Sequence, residues 1–260
     1  MENRLILISL LTILASLNFI SAININVELS PVSNSVIPDI NKPAVFDLTI
    51  TNNGESSYFE VYSLIGLSIT PNTPIQILKG ETITTRISVM PAEPWVSRDG
   101  YFTYEYKIKN SKGENVEKRM TLDITHLSNA ISLTANNINP ESTKVSITIR
   151  NKVSYPFNDI KLKLNSPFFD YESTISLAPL EVKTMEIPLN KEKMKFLTSG
   201  NYLISSKILI EGKTINPEAT IKYLEQENII GSETSKGFLI HKKIFVKSNI
   251  GNVKKNVEFN

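Results

Sequence analysis

A seven-residue pattern occurs twice in this chain, about one hundred residues apart: Phe46-Asp-Leu-Thr-Ile-Thr-Asn52 returns as Val145-Ser-Ile-Thr-Ile-Arg-Asn151 with its apolar positions in phase. A second landmark keeps nearly the same spacing. Asp99-Gly100-Tyr-Phe-Thr-Tyr-Glu-Tyr-Lys-Ile108 returns as Ser199-Gly200-Asn-Tyr-Leu-Ile-Ser-Ser-Lys-Ile208. Between them, Glu81-Thr-Ile83 and Ile87-Ser-Val89 are echoed by Glu181-Val182 and Ile187-Pro-Leu189. A repeat of this length is a whole domain and not a solenoid turn, so the chain reads as a tandem array.

The period inside each copy identifies the building block. Ile23-Asn-Ile-Asn-Val-Glu-Leu29 places Ile23, Ile25, Val27 and Leu29 on one face and polar residues on the other, as a half-buried strand requires. Residues 46–50 alternate in the same way and end in Asn52-Asn-Gly54, a turn signal whose residues tolerate positive φ. Further strands are expected at 58–64, 67–69, 74–78, 83–89, 101–109 and 115–125, with Lys79-Gly80-Glu81 and Lys112-Gly113-Glu114 between the later ones. The second copy predicts strands at 130–135, 144–151, 160–164, 174–177, 182–189, 201–211 and 214–222. Helical periodicity is weak, and residues 190–197 offer one or two turns at most. Seven or eight short strands per copy describe a β-sandwich. Phe102, Tyr104 and Tyr106 alternate with polar residues and read as core, matched by Tyr202, Ile204 and Ser206.

Composition sets outer limits. Of 260 residues, 41% are hydrophobic and 21% charged, which suits globular domains and not disorder. A formal net charge of +2, with no dense basic stripe interleaved with aromatics, gives no footprint for nucleic acid. The chain has no cysteine, which excludes disulfides, thiolate metal sites and cysteine nucleophiles. At the N-terminus, Met1-Glu-Asn-Arg4 precedes an apolar run from Leu5 to Leu17 and then Ser21-Ala22, the layout of a signal peptide cut after Ala22. An uncleaved anchor is the alternative, although the run is short for a spanning helix. The membrane is therefore met only through this segment, if it is retained.

Beyond the second copy, residues 226–235 have linker composition, and residues 242–247 and 253–259 read as the opening hairpin of a third unit. The resulting division is a signal peptide at 1–22, a first sandwich at 23–126, a second at 127–225, and a linker with an incomplete third unit at 226–260.

Catalytic and metal constellations are hard to assemble. His126 and His241 are the only histidines, and they fall in different units. No zinc-protease, nucleophile-elbow or phosphate-loop motif occurs. Asp47 and Glu105 are candidates for a carboxylate pair, but both take polar positions of expected strands and read as solvated. No catalytic residue, cofactor or metal is expected. Trp95, in the connection Pro91-Ala-Glu-Pro94-Trp-Val-Ser-Arg98, is the one candidate for a ligand or partner surface. It either projects to stack on a ligand or folds back over the end of the sandwich.

The elements Asp47-Leu-Thr-Ile-Thr-Asn-Asn-Gly-Glu55, Lys79-Gly-Glu-Thr82 and Asp99-Gly-Tyr-Phe-Thr-Tyr104 together carry a resemblance. A strand ending in Thr-Asn-x-Gly, a Gly-Glu-Thr turn and a late Gly-Tyr-Phe strand resemble immunoglobulin-like domains of prokaryotic surface proteins, similar to the cell-adhesion-related and NEW3-type domains of exported, especially archaeal, proteins. The resemblance spans most of residues 24–225 and extends more faintly to 240–260, and unit two departs from it at Pro179-Leu180. It implies an all-β protein of two tandem immunoglobulin-like sandwiches, with a signal helix before them and an incomplete third unit after them. It also implies a non-enzymatic adhesion or scaffold role at the cell surface, with a protein or a polysaccharide as partner. A carbohydrate-binding accessory module and a two-domain periplasmic-type chaperone are the alternatives. The first needs an exposed coplanar aromatic patch around Trp95; the second needs a fixed bend between the units and a long unpaired edge.

Overall fold

The computed structural model describes residues 23–224, and the expected leader and third unit lie outside them. Two lobes, each with two sheets, follow one another along the chain. In the first lobe the strands are β1 (Ile25–Ser33), β2 (Ser35–Val36), β3 (Ala44–Asn52), β4 (Ser57–Tyr62), β5 (Leu67–Thr70), β6 (Ile75–Ile77), β7 (Thr82–Pro91), β8 (Gly100–Asn110) and β9 (Asn115–Ile124). The second lobe holds β10 (Ile131–Ala135), β11 (Lys144–Asn151), β12 (Phe157–Ser166), β13 (Phe169–Leu177), β14 (Val182–Pro188), β15 (Gly200–Ile210), β16 (Lys213–Ile215) and β17 (Ala219–Tyr223). Sheet β1-β3-β7-β5 packs on β2-β9-β8-β4-β6, and β10-β11-β14 packs on β13-β12-β15, where β16 and β17 both join β15. No sheet closes into a barrel, so the architecture is the expected all-β sandwich.

The alternation read from the sequence becomes burial. Ala44, Phe46, Leu48 and Ile50 on β3 are buried, as are Val145, Ile147 and Ile149 on β11. Their outward neighbours pair across strands through threonine hydroxyls, Thr49 with Thr84 at 2.8 Å and Thr148 with Thr184 at 3.0 Å. Tyr104 and Tyr106 are buried as expected, while Phe102 is half-buried.

Local chemistry accounts for the departures. Residues 214–222 form two strands because Pro217 has no N–H for the ladder. Residues 190–197 supply a single helical turn, Lys191–Met194, capped where the Asn190 side chain accepts the Lys193 N–H. In the second lobe β13 stays beside β12, whereas its counterpart β5 crosses to the opposite sheet and pairs with β7. Only Pro167 and Phe168 separate β12 from β13, a hairpin-length loop that holds both strands in one sheet. The longer connection from β4 to β5 permits the crossing.

The turn before β7 also differs in kind. Gly80 sits at φ +77 with open space around the position of a Cβ, so the backbone conformation is what requires glycine. At the matching turn Leu180 is held at φ 59 and is mostly exposed. A left-handed leucine is strained by roughly 1–2 kcal/mol. Replacing Leu180→Gly is expected to stabilise the second lobe by about 1 kcal/mol, measured by denaturant unfolding. A loss of stability would mean that the leucine side chain makes compensating contacts.

The lobes are tied by a segment that the sequence presents as a plain connection. Residues 33–43 form β2, a 3-10 turn at Pro38–Ile40 and a left-handed Asn41, and they reach into the second lobe. Ile37 is 0% exposed and belongs to the core of the second lobe, not the first. The Asn34 side chain and the Ser33 and Ser35 hydroxyls surround Ser154 at 2.9–3.2 Å. Lys42 pairs with Glu211 at 2.8 Å and lies 5.6 Å from the Tyr155 ring centre. Asp39 accepts the Leu127 N–H at 2.7 Å, capping the helical turn Leu127–Ala130 that opens the second lobe.

Candidate partner-binding surface

Trp95 lies in the connection between β7 and β8, at the end of the first lobe that faces the junction. The Trp95 N–H donates to Ala92 O at 3.0 Å, and the Ala92 N–H donates to Gly66 O at 2.7 Å, so this loop is tied to the β4–β5 connection. The indole meets the Tyr104 ring edge-on, with centres 6.3 Å apart and planes at 88°. It is 42% exposed and shares the end of the lobe with Leu64 at 73% and Ile65 at 43%. One side of the ring covers Tyr104 and the rest meets solvent.

This geometry is an apolar tip and not a flat platform. The ring against Trp95 is perpendicular to it, and Tyr101 points out of the opposite face of β8. The Tyr104 hydroxyl is buried without a hydrogen-bond partner among the described residues, and burial pushes its pKa up. Phe196, in the segment 190–197 where a helical turn is expected, is 86% exposed in the corresponding connection of the second lobe. Each lobe thus displays one aromatic just ahead of its Gly100 or Gly200 strand. An aromatic four or five residues ahead of that glycine is the available signal.

Beside the tip, Asp99 organises the start of the second lobe. Its carboxylate accepts the His126 backbone N–H at 2.7 Å, lies 2.7 Å from His126 Nδ1, and accepts from the Asn129 amide. Burial pushes the Asp99 carboxyl up, but the bonds from His126 and Asn129 outweigh it and hold the pKa below its ordinary 3.8. A depressed carboxyl pKa adds stability that is complete above the unfolded value and is lost as pH falls through the folded one. Thermal unfolding from about pH 5 down to about pH 3 is expected to show a steeper loss for the native chain than for Asp99→Asn. Equal acid slopes would exclude this linkage. His126 is thereby a half-exposed junction residue, and His241 lies outside the described residues.

The remaining chemical candidates do not converge. Asp47 pairs with Arg86 at 2.9 Å and Glu105 with Arg119 at 3.0 Å, on different sheets. Among the described residues no group of three His, Asp or Glu side chains could hold a metal ion. No described helix is long and apolar enough to cross a membrane.

One flank of the first lobe is open. β2 covers the outer edge of β9 only at its end, where the Asp123 and Thr125 N–H groups donate to Asn34 O and Val36 O at 2.9 and 3.0 Å. By strand alternation the backbone groups of Glu117, Arg119 and Thr121 point out of that edge, and no described strand pairs with them. Across the sandwich, Ile25, Val27 and Leu29 are only half-buried. In the second lobe the matching Ile131 and Leu133 are buried. There the Ile138 N–H bonds to Lys222 O at 3.0 Å and the Leu224 N–H bonds to Ile138 O at 2.8 Å, closing the flank.

No protein-family model matches the chain, and no curated protein matches it. Solved structures similar to it include a protein of unknown function from Porphyromonas gingivalis W83, at 13% identity and a TM-score of 0.28 over 75% of this chain and 99% of that one. The E. coli chaperone DraB is similar at 14% identity and a TM-score of 0.27, over 76% and 97% of the two chains. Fibronectin(III)-like modules of Clostridium thermocellum CbhA are similar at 13% identity and a TM-score of 0.24, over 71% and 86%.

Proposed function

We propose that this chain is an exported, non-enzymatic surface protein in which two immunoglobulin-like sandwiches act as one adhesion or scaffold unit. The observation that carries this reading is the junction. Ile37 from the first lobe fills the core of the second, and the serine cluster around Ser154 and the Lys42–Glu211 pair surround it. A flexible array of independent modules needs none of these contacts, whereas a spacer that holds its ends apart does. The apolar tips at Trp95 and Phe196 supply partner surfaces at fixed positions along such a unit.

Protease added to intact producing cells tests this reading. The chain is expected to be cut while a cytoplasmic marker survives, and deletion of its gene is expected to lower attachment of the cells. A chain protected until lysis would overturn export, and unchanged attachment would overturn the adhesion role.

A second reading, a chaperone that receives a client strand, draws support from the unpaired edge of β9 beside the half-covered Ile25, Val27 and Leu29. It predicts amide NMR shifts at Glu117, Arg119 and Thr121 when an alternating apolar peptide is added. Shifts confined to the Trp95 loop would exclude it.

A further inference from the structure

The outer sheet faces of the two lobes share a strand plan and differ in charge. On the first lobe, register sets Glu105 opposite Arg119, Lys107 opposite Glu117 and Glu60 opposite Lys109. All three close as ion pairs, at 3.0, 3.2 and 3.0 Å. That face neutralises itself.

On the second lobe, register sets Lys163 directly opposite Lys207, and Lys161 opposite Leu209. Like charges facing each other across an antiparallel pair destabilise a sheet. Glu172, on the other side of Lys163, pairs with that lysine. Lys161 and Lys207 have no ion pair or hydrogen bond among the described residues. The three lysines line a shallow depression of about 460 Å³ together with Thr174 and Leu209. An adjoining depression of about 370 Å³ shares Lys161 and Leu209 and ends at Asp159 and Glu211. Glu211 is already engaged by Lys42 and Tyr155, so Asp159 is the acid left at that end. Lys161 and Lys163 stand two residues apart on one face, roughly 7 Å, and Lys207 lies roughly 5 Å across from Lys163 at the Cβ atoms.

We infer that this face of the second lobe binds an anionic polysaccharide, with Lys161, Lys163 and Lys207 receiving its carboxylate or sulfate groups. The inference deepens the surface-protein reading and rests on it only for where such a polymer is met. In the next row of the grid Asn165 lies opposite Ser205 and donates its amide to Asp170, whose carboxylate also pairs with Lys193, so Ser205 and Thr174 are left to offer hydroxyls to the sugar. No aromatic side chain projects from this face to stack a nucleobase, as single-stranded nucleic acid sites require. The lysine pair accepts a like-charge cost in the free protein that a bound anion removes.

The test uses the purified full chain with polygalacturonate, dextran sulfate, neutral dextran and single-stranded DNA. Binding to at least one of the acidic polymers, weakening with salt, and none to neutral dextran, is expected. The double variant Lys161→Gln/Lys207→Gln is expected to bind about tenfold or more weakly with an unchanged or higher Tm, while Lys109→Gln on the first lobe binds as the native chain does. Which acidic polymer binds distinguishes carboxylate from sulfate recognition. No binding to either one, or binding that the double variant retains, would overturn the proposal. Equal, lysine-dependent binding of DNA would replace it with an unspecific polyanion surface. Because these assays use isolated protein, a failure here leaves the surface reading standing, and a chain found inside the cell leaves this site standing.

Discussion

Replacing Ile37→Asp is expected to uncouple the two lobes. The side chain is fully buried in a core to which no other buried residue of its own lobe belongs, with half-buried Ile40 packed against it. Truncating a buried isoleucine costs about 2–5 kcal/mol, and placing a carboxylate in the same space adds its desolvation. The local loop should survive, because Ile37 and Lys42 exchange backbone bonds at 2.9 and 3.0 Å that do not involve the side chain. Damage is therefore directed at the junction. In calorimetry the variant is expected to show a separate, earlier transition for the second lobe, and small-angle scattering should report a larger radius of gyration. A native-like scattering curve would show that the surrounding polar contacts suffice. Lys42→Ala is the control: its ion pair with Glu211 is partly exposed, and pairs of that kind contribute about 0–1 kcal/mol.

Asn52→Ala and Asn151→Ala are expected to cost about 3 kcal/mol or more each, a large part of the total stability of a small domain. Asn52 is 1% exposed; its amide donates to Glu55 O at 2.8 Å and Ile77 O at 3.0 Å, and its oxygen accepts the Gly54 N–H at 3.0 Å. Asn151 is 0% exposed and makes the same set, to Tyr155 O at 2.7 Å, Ala178 O at 2.8 Å and from Val153 N–H at 3.1 Å. In each lobe one of these bonds crosses from the β3 or β11 sheet to a strand of the opposite sheet, or to the residue just after it. Alanine strands three backbone groups at about 1–3 kcal/mol apiece where none reaches solvent, less whatever water recovers. Aspartate should be worse than alanine, since it aims a charge at two carbonyl oxygens. Denaturant unfolding of the four variants checks this order, and losses below about 1 kcal/mol would mean that the sheets are held by apolar packing alone.

These two asparagines also mark how far the sequence could be read. Both recur in the repeat, and the Asn52-Asn-Gly54 signal reads as a turn whose residues tolerate positive φ. Neither adopts it, and their role is to bond across the two sheets. A local window contains Gly54 and Val153 but not the carbonyls of Ile77 and Ala178, which arrive from the far side of the sandwich. The paired glutamates behave alike: Glu81 and Glu181 accept the N–H of Leu78 and Ala178 at 2.7 and 2.6 Å, closing the turns before β7 and β14. Trp95 was legible as an aromatic in a connection. That its ring stands edge-on to Tyr104 depends on two loops meeting at the end of the lobe.

By itself the sequence determined the all-β class and nearly every strand of the described residues. Period-two alternation and turn residues act through steric and solvation rules that operate over a few neighbouring positions. Tertiary structure alone decided that β13 stays with β12, that Ile37 belongs to the lobe after its own, and that Lys163 faces Lys207. Each of these depends on which strands or lobes meet, and so on the energy of contacts between residues that are distant along the chain.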